Sequence, residues 1–505
     1  MSNFLFDRLF GCHEGETKAF LIFADGSQQS YDSFLRQAAR FANVIEQLGL
    51  VVGDRLAAQI EKSAEGLALY ATCIQSGVIF LPLNTAYTPA EISYFVGDSG
   101  AKLLVADQNF TLGEIADEQG VVLEFLNGDG SGTFCDLAQN ASDQFETVER
   151  GPDDLAAFLY TSGTTGRSKG AMLTHNNLLS NAETLVSEWQ FSAEDVLLHA
   201  LPIFHTHGLF VATNTILLAK AKMIFLPKFS TDTVIEALPK ANTMMGVPTF
   251  YTRLLDDPRF TLESTRHMRL FISGSAPLLA ETHIQFERRT GHCILERYGM
   301  TETNMNTSNP YDGERRAGTV GKPLPGIDIK ITNPDTGETL TDGKIGQIEV
   351  RGPNVFTGYW KMPEKTREEL REDGFFITGD LGRIDEFGYL QIVGRNKDLI
   401  ISGGYNIYPK EIELVLDDLP GVLESAVIGA PHSDFGESVI GLLVAEGGQS
   451  LDLKAIEEVL GQRLARFKRP RKLFIIDSLP RNTMGKVQKN ILRDEFSSTF
   501  KDSAK

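Results

Sequence analysis

Short apolar segments alternate with stretches of helical spacing along most of the chain, and this restricts the fold more than any other feature. Arg55–Ile60, Val78–Leu83, Lys102–Ala106, Val196–Ala200, Met223–Leu226, Thr243–Val247 and Arg269–Ser273 all read as strands. Ser30–Leu48 sets Phe34, Leu35, Ala38, Phe41, Ala42, Ile45 and Leu48 at helical spacing ahead of Gly49, and Ala64–Ser76 reads as another helix. Strands and helices of this size in alternation imply βαβ units, whose crossovers make the sheets parallel and cover both faces. The predicted class is α/β, in layered subdomains.

From Ile327 the texture changes. Ile327–Thr332, Gly346–Val350 and Tyr389–Val393 are separated by Gly, Asp and Asn turns, which predicts a small β-rich subdomain. Beyond Gly394–Asp398 the pattern becomes helix (Pro409–Leu416), strands (Val422–Gly429, Ser438–Val444), helix (Leu453–Leu464) and strand (Lys472–Ile476). That is a compact α+β module. The predicted domains are 1–394 and 395–505, with no internal repeat.

A chain of 505 residues with 42% apolar content can bury large cores. Its formal charge of −19 argues against nucleic acid, whose phosphates such a surface would repel. The dense basic run Arg463–Lys472 reads either as a solvated helix end or as a patch for the phosphates of a diffusible ligand. Cys12, Cys73, Cys135 and Cys293 lie far apart without a C-x-x-C pair, as reduced thiols do. Asp7 and Arg8 interrupt the apolar N-terminus, and no apolar run is long enough to span a bilayer. The expectation is a soluble, cytoplasmic protein with no membrane partner.

The run Tyr160–Gly170 follows an apolar strand and gathers hydroxyls, two interior glycines and Lys169. Glycines bring backbone N–H groups near an anion, and the hydroxyls and lysine add donors and charge. The run suits polyphosphate, although its spacing is not that of a Walker A loop. Six further stretches stand out. Leu201–Leu209 carries His205 and His207, too few for a metal claim. Ser273–Pro277 is small enough for a flat ring to approach, and Arg297–Glu302 offers an aromatic face, a hydroxyl and a carboxylate. Ile377–Asp380 ends in a carboxylate suited to vicinal hydroxyls, followed by the Gly403-Gly404 pair and by Lys486 on a Gly-containing loop.

Together, Thr161–Gly170, His205, Gly274–Pro277, Tyr298–Glu302, Thr378–Asp380, Arg395–Gly404 and Lys486 resemble the acyl- and aryl-adenylate-forming superfamily of acyl-CoA synthetases, firefly luciferase and peptide-synthetase adenylation domains. The resemblance covers essentially the whole chain in the family's order. Ser168 departs from it, standing where many members have proline. More narrowly, GVPTFYTRLL (246–255), RYGMTETNMNTSNPYDGERR (297–316) and LPRNTMGKVQKN (479–490) resemble bacterial malonyl-CoA synthetases.

The resemblance implies a large AMP-binding domain joined by a hinge at Lys397 to a small mobile C-terminal domain. It implies two half-reactions: a carboxylate attacks the α-phosphate of ATP, and the thiol of coenzyme A then displaces AMP. Thr161, Ser162, Gly163, Thr164, Thr165, Gly166 and Lys169 would cradle the β- and γ-phosphates, and Glu302 with Thr165 would hold Mg²⁺. Thr301 would touch the α-phosphate, flanked by Gly299 and Met300. Tyr298 would stack on adenine beside Gly274, Ser275, Ala276 and Pro277, while Asp380 and Arg395 would hold the ribose. Lys486, His205 and Glu302 are the implied catalytic residues, and Ser402, Gly403, Gly404 and Tyr405 would line the pantetheine tunnel.

A second carboxylate on the acid needs a cation, since an unpaired buried charge is prohibitive. The subfamily resemblance points to Arg253, shared with His207 over a floor of Asn304 and Met305; the alternative is a surface arginine on an amphipathic helix. The expected activity is malonate–CoA ligation. Methylmalonate, another short acid, or loading of a carrier protein are the alternatives. Lys486 is also an expected target for a lysine acetyltransferase and deacetylase, since acetylation would remove its charge.

Overall fold

The structure is a computed structural model and describes residues 2–161, 168–341, 343–402, 405–432, 435–464, 466–482 and 485–500. It divides into two compact units. One comprises Met1–Ala317, Gly321–Asp328 and Val350–Phe376; the other comprises Gly318–Val320, Ile329–Glu349 and Ile377–Lys505. The four-stranded sheet of Asp328–Thr332, Gly346–Arg351, Phe376–Ile384 and Leu390–Arg395 therefore falls mostly in the second unit, whereas the sequence groups that segment with the N-terminal domain.

The first unit is built on two sheets. A seven-stranded sheet runs Gly358–Tyr359, Lys169–Thr174, Leu155–Thr161, Ile79–Pro82, Arg55–Gln59, Leu103–Ala106 and Val122–Phe125, parallel from Leu155–Thr161 onward. A nine-stranded sheet has six central parallel strands, Leu295–Met300, Leu270–Ser273, Thr243–Gly246, Val196–His199, Lys222–Phe225 and Ala19–Ile22. Most of these strands are segments that the apolar pattern picks out, because burial on both faces leaves a continuous apolar run; Ala19–Ile22, Val122–Phe125 and Leu295–Met300 are found only in the structure.

Both sheets also carry antiparallel edges that the pattern misses. Gln28–Ser30 folds back on Ala19–Ile22, and Asn304–Ser308 folds back on Leu295–Met300. Their residues are mostly polar, so no hydrophobic signal marks them. The third case matters for function. Leu155–Thr161 does not lead into a helix; it pairs antiparallel with Lys169–Thr174, with Thr161 opposite Lys169. The expected phosphate-binding residues Ser162, Gly163, Thr164, Thr165 and Gly166 lie outside the described residues. The helix follows later, His175–Glu188, opened by a capping box in which Thr174 and Asn177 exchange side-chain-to-backbone hydrogen bonds.

The second unit closes on a five-stranded sheet in which Val422–His432 and Gly436–Ala445 form a long antiparallel pair and Lys472–Ile475 adds in parallel. Helices Pro409–Asp417 and Leu453–Arg463 pack Ile412, Leu416, Ile456 and Leu460 against it. Among the described residues no helix is long and apolar enough to cross a membrane.

The core beside the nine-stranded sheet is aromatic. Phe271 lies edge-on to Phe286 at 5.0 Å, to Phe260 at 6.3 Å and to Tyr251 at 6.4 Å. All four rings are fully buried, so truncation leaves a cavity that the sheet cannot collapse into. Phe271→Ala should cost about 3–5 kcal/mol of unfolding free energy, read from urea denaturation.

Candidate active site

Three strands and a hairpin bring the phosphate-side residues together. Gly358–Tyr359 pairs with Lys169–Thr174, and the Trp360 N–H donates to the Gly170 carbonyl at 2.8 Å. The Phe356 N–H donates to the Glu302 carbonyl at 2.8 Å, tying that segment to the turn after Leu295–Met300. Glu302 is thereby buried with its Oε1 accepting from Thr161 Oγ1 at 3.3 Å and from the Tyr359 hydroxyl at 3.1 Å. Lys169, 9% exposed at its side chain, donates to both oxygens of Glu369 at 3.0 and 3.1 Å. Thr161, Lys169 and Glu302 thus sit in one cluster, as expected. Tyr359 and Glu369 belong to it too, and neither carries a sequence signal, since both come from a short strand and the helix Pro363–Glu369 far along the chain.

A second group of expected residues gathers around His207–Thr213, a π-helix. The preceding segment packs so closely on it that a Cβ on Gly208 would stand 2.0 Å from the Pro202 carbonyl oxygen. The Gly208 carbonyl is itself engaged. Buried Lys62 donates to the Nδ1 and the carbonyl oxygen of His199, each at 2.8 Å, so the His199 Nε2 carries the hydrogen donated to the Gly208 carbonyl at 2.9 Å. His207 Nδ1 lies 3.2 Å from the Ser275 hydroxyl, and the His207 N–H donates to His205 Nδ1 at 3.3 Å. Ser275 holds φ +70° and Asn304 φ +48°, left-handed conformations that cost energy for residues with a side chain.

Arg297 is the buried cation of this region. It is 4% exposed, and its guanidinium fills the space over Gly274, where a Cβ would stand 2.3 Å from its central carbon. Burial pulls its pKa down to about 9. His207 is held well below its usual value by burial, then by the nearby Arg297 and His205. Among the described residues, Arg297 Nε and Nη2, His207 Nε2, Thr303 Oγ1, both amide atoms of Asn304 and Asn306 Nδ2 are buried without a hydrogen-bond partner. Buried polar atoms are nearly always satisfied, so unpartnered atoms on Arg297 and His207, and on the strand that pairs with Leu295–Met300, mark the region as a candidate ligand site. The sequence signal for Arg297 is a cation inside a strand, but the same strand also carries Glu296, so charge alone does not mark Arg297.

The remaining expected residues are distributed as follows. Tyr298 is buried; Gly299, Met300 and Thr301 are partly buried in the strand and turn; Ala276 is partly buried and Pro277 exposed. Asn304 and Met305 are buried, and Met305 exchanges backbone-to-side-chain hydrogen bonds with Asn181. Arg253 is exposed on the helix Pro248–Leu255. In the second unit, Asp380 faces Arg395 across paired strands, with Nε–Oδ1 at 2.9 Å. Lys397 is exposed in the turn Asn396–Asp398, Ser402 is paired with Tyr405, and Lys486 is exposed with its N–H donating to Asn482 Oδ1 at 3.0 Å. Gly403 and Gly404 lie outside the described residues.

A sequence model of the AMP-binding enzyme family matches residues 12–360, and that of the AMP-binding enzyme C-terminal domain matches 411–486. The chain belongs to the AMP-binding enzyme family. This AMP-binding enzyme is 37% identical to the malonate–CoA ligase of Arabidopsis thaliana, over 94% of this chain and 86% of that protein. It is 31% identical to the long-chain-fatty-acid–CoA ligase of Bacillus subtilis, over 93% of this chain and 90% of that protein. Its fold matches the ATP-bound crystal structure of MatB from Rhodopseudomonas palustris with a TM-score of 0.97 and 56% identity, covering 99% of this chain and 100% of that one.

A buried cation kept for a ligand should burden the empty AMP-binding enzyme. Arg297→Leu, which fills the same space without the charge, should therefore raise unfolding free energy by about 1 kcal/mol or more in the absence of ligands. A fall in the urea midpoint would identify Arg297 as a structural residue instead.

Proposed function

We propose that this enzyme joins malonate to coenzyme A, using ATP and passing through malonyl-AMP with release of pyrophosphate and then AMP. The observation that carries this reading is the buried Arg297 guanidinium, whose Nε and Nη2 have no hydrogen-bond partner among the described residues. An acid with an apolar tail would leave that cation unpaired and desolvated, at a cost of several kcal/mol by rough order. A second carboxylate satisfies it. The name of the Arabidopsis relative supports the same substrate, and the fold match to ATP-bound MatB supports the nucleotide.

Carboxylate is a poor nucleophile and the triphosphate is heavily charged, so positioning and charge neutralisation supply most of the acceleration. In this reading Arg297, His207 and Ser275 fix the distal carboxylate and leave the other free to attack. His207 acts as a neutral imidazole, because burial keeps it unprotonated near pH 7. Arg253 supplies a second cation nearer solvent. Lys169 holds the β- and γ-phosphates with Thr161, Thr301 the α-phosphate, and Tyr298 the adenine. Asp380 and Arg395 hold the ribose. The oxygen donors at Glu302 and Thr161 suit Mg²⁺, which would neutralise phosphate charge there. Lys486 brings its ammonium to the α-phosphate and attacking carboxylate. A hinge at Lys397 then exchanges it for Ser402–Tyr405, which line the path of the thiol.

The test is thioester formation with malonate, methylmalonate and acetate side by side. Malonate should lead, with acetate lower in kcat/KM by roughly 100-fold or more, the scale expected when a buried charge goes unpaired. Arg297→Leu should lose most of the preference for malonate over acetate while ATP affinity stays unchanged. Arg253→Ala with full malonate kcat/KM would remove Arg253 from the site. Lys486→Ala should abolish malonate-dependent pyrophosphate exchange and largely spare thioester formation from preformed malonyl-AMP. Equal rates with acetate and malonate would overturn the substrate assignment.

A further inference from the structure

Lys169 is not idle in the described structure. Its ammonium is held bidentately by Glu369 and lies 4.2 Å over the Tyr359 ring. Glu369 also accepts from Lys365, at 3.0 Å, and from the Tyr359 hydroxyl, at 2.6 Å. That hydroxyl has one hydrogen, yet its oxygen also lies 3.1 Å from Glu302 Oε1, so the two carboxylates compete for it. Lys169, Glu369, Tyr359 and Glu302 are thus one connected network. Burial alone would push Glu369 up; hydrogen bonds from Tyr359 and Lys169 outweigh it and leave its pKa below the ordinary value, so it stands as an anion.

We propose that Glu369 is an internal competitor for Lys169 that sets how tightly the enzyme keeps pyrophosphate. The inference rests on the reading that Lys169 binds the β- and γ-phosphates. A cation that is 9% exposed is already paired before the phosphates arrive, so their binding exchanges one ion pair for another. Affinity is the difference between the two. After the exchange the Glu369 charge stays close to the phosphates and repels them, partly balanced by Lys365. The consequence is chemical. Adenylation is reversible: pyrophosphate that lingers attacks malonyl-AMP at phosphorus, re-forming ATP and expelling malonate. A carboxylate that reclaims Lys169 favours departure of pyrophosphate and commits the adenylate to the thiol. Glu369 is therefore a positioning residue that acts through Lys169.

The experiment is calorimetric titration of inorganic pyrophosphate with Mg²⁺ into the full-length protein, paired with thermal melts. Glu369→Gln keeps the shape and removes the charge. It should bind pyrophosphate roughly tenfold tighter, the scale of a close charge pair. Its ligand-free melting temperature should fall, and pyrophosphate should restore more of it than in the parent. Glu369→Asp keeps the charge and should bind close to the parent. Lys169→Met should weaken binding by tenfold or more. Should Lys169→Met bind as the parent does, Lys169 is no phosphate ligand and the underlying reading fails. Should Lys169→Met bind weakly while Glu369→Gln binds no tighter than the parent, the competitor role is overturned and Glu369 is simply structural.

Discussion

The Arg297 guanidinium occupies the volume that a side chain at position 274 would need, and much of the pocket follows from keeping it there. Gly274 ends the strand Leu270–Ser273, next to Leu295–Met300, so the parallel pairing of Ser273 with Glu296 brings the gap and the cation into register. Ser275 must then bend into the left-handed region, which turns its hydroxyl toward His207. His207 in turn opens a π-helix held by the Lys62–His199 relay. Each step stores something unfavourable: a desolvated charge, a strained φ, buried polar atoms without partners. Such costs persist where the surrounding framework over-determines them, and a rigid parallel sheet is such a framework.

How far the sequence revealed this depended on what kind of signal each part leaves. Strands such as Leu103–Ala106 and Thr243–Gly246 are buried on both faces, so their apolar runs were legible to within a residue at each end. Asn304–Ser308 is equally buried, but its residues are mostly polar and its Met305 carbonyl accepts from Asn181 and Asn354, contacts that no periodicity announces. The loops that carry the family's motifs were legible because glycine, hydroxyl and lysine recur there for chemical reasons. Residues supplied by distant elements were not. Tyr359 and Glu369 reach the phosphate side through strand pairing with Lys169–Thr174, a relation between positions almost two hundred apart in the sequence.

The cation expected for a second carboxylate shows the limit most clearly. The subfamily resemblance points to Arg253, on a helix whose amphipathic spacing equally suits a surface arginine. The structure leaves Arg253 exposed and buries Arg297. An arginine within a strand is visible in any sequence; that it lies over a glycine from the neighbouring strand is a matter of register, and register is a tertiary fact.

The pairing of Thr161 with Lys169 separates two properties that a phosphate-binding loop usually combines. The ladder fixes where the lysine backbone stands. At the neighbouring position it is the Ser168 carbonyl that is engaged, accepting from the Tyr94 hydroxyl at 3.1 Å. A proline offers the same carbonyl, so the serine–proline difference from many relatives leaves that contact available. The anchoring of the cation thus rests on the ladder, and a lineage could exchange serine for proline at position 168 without relocating the charge.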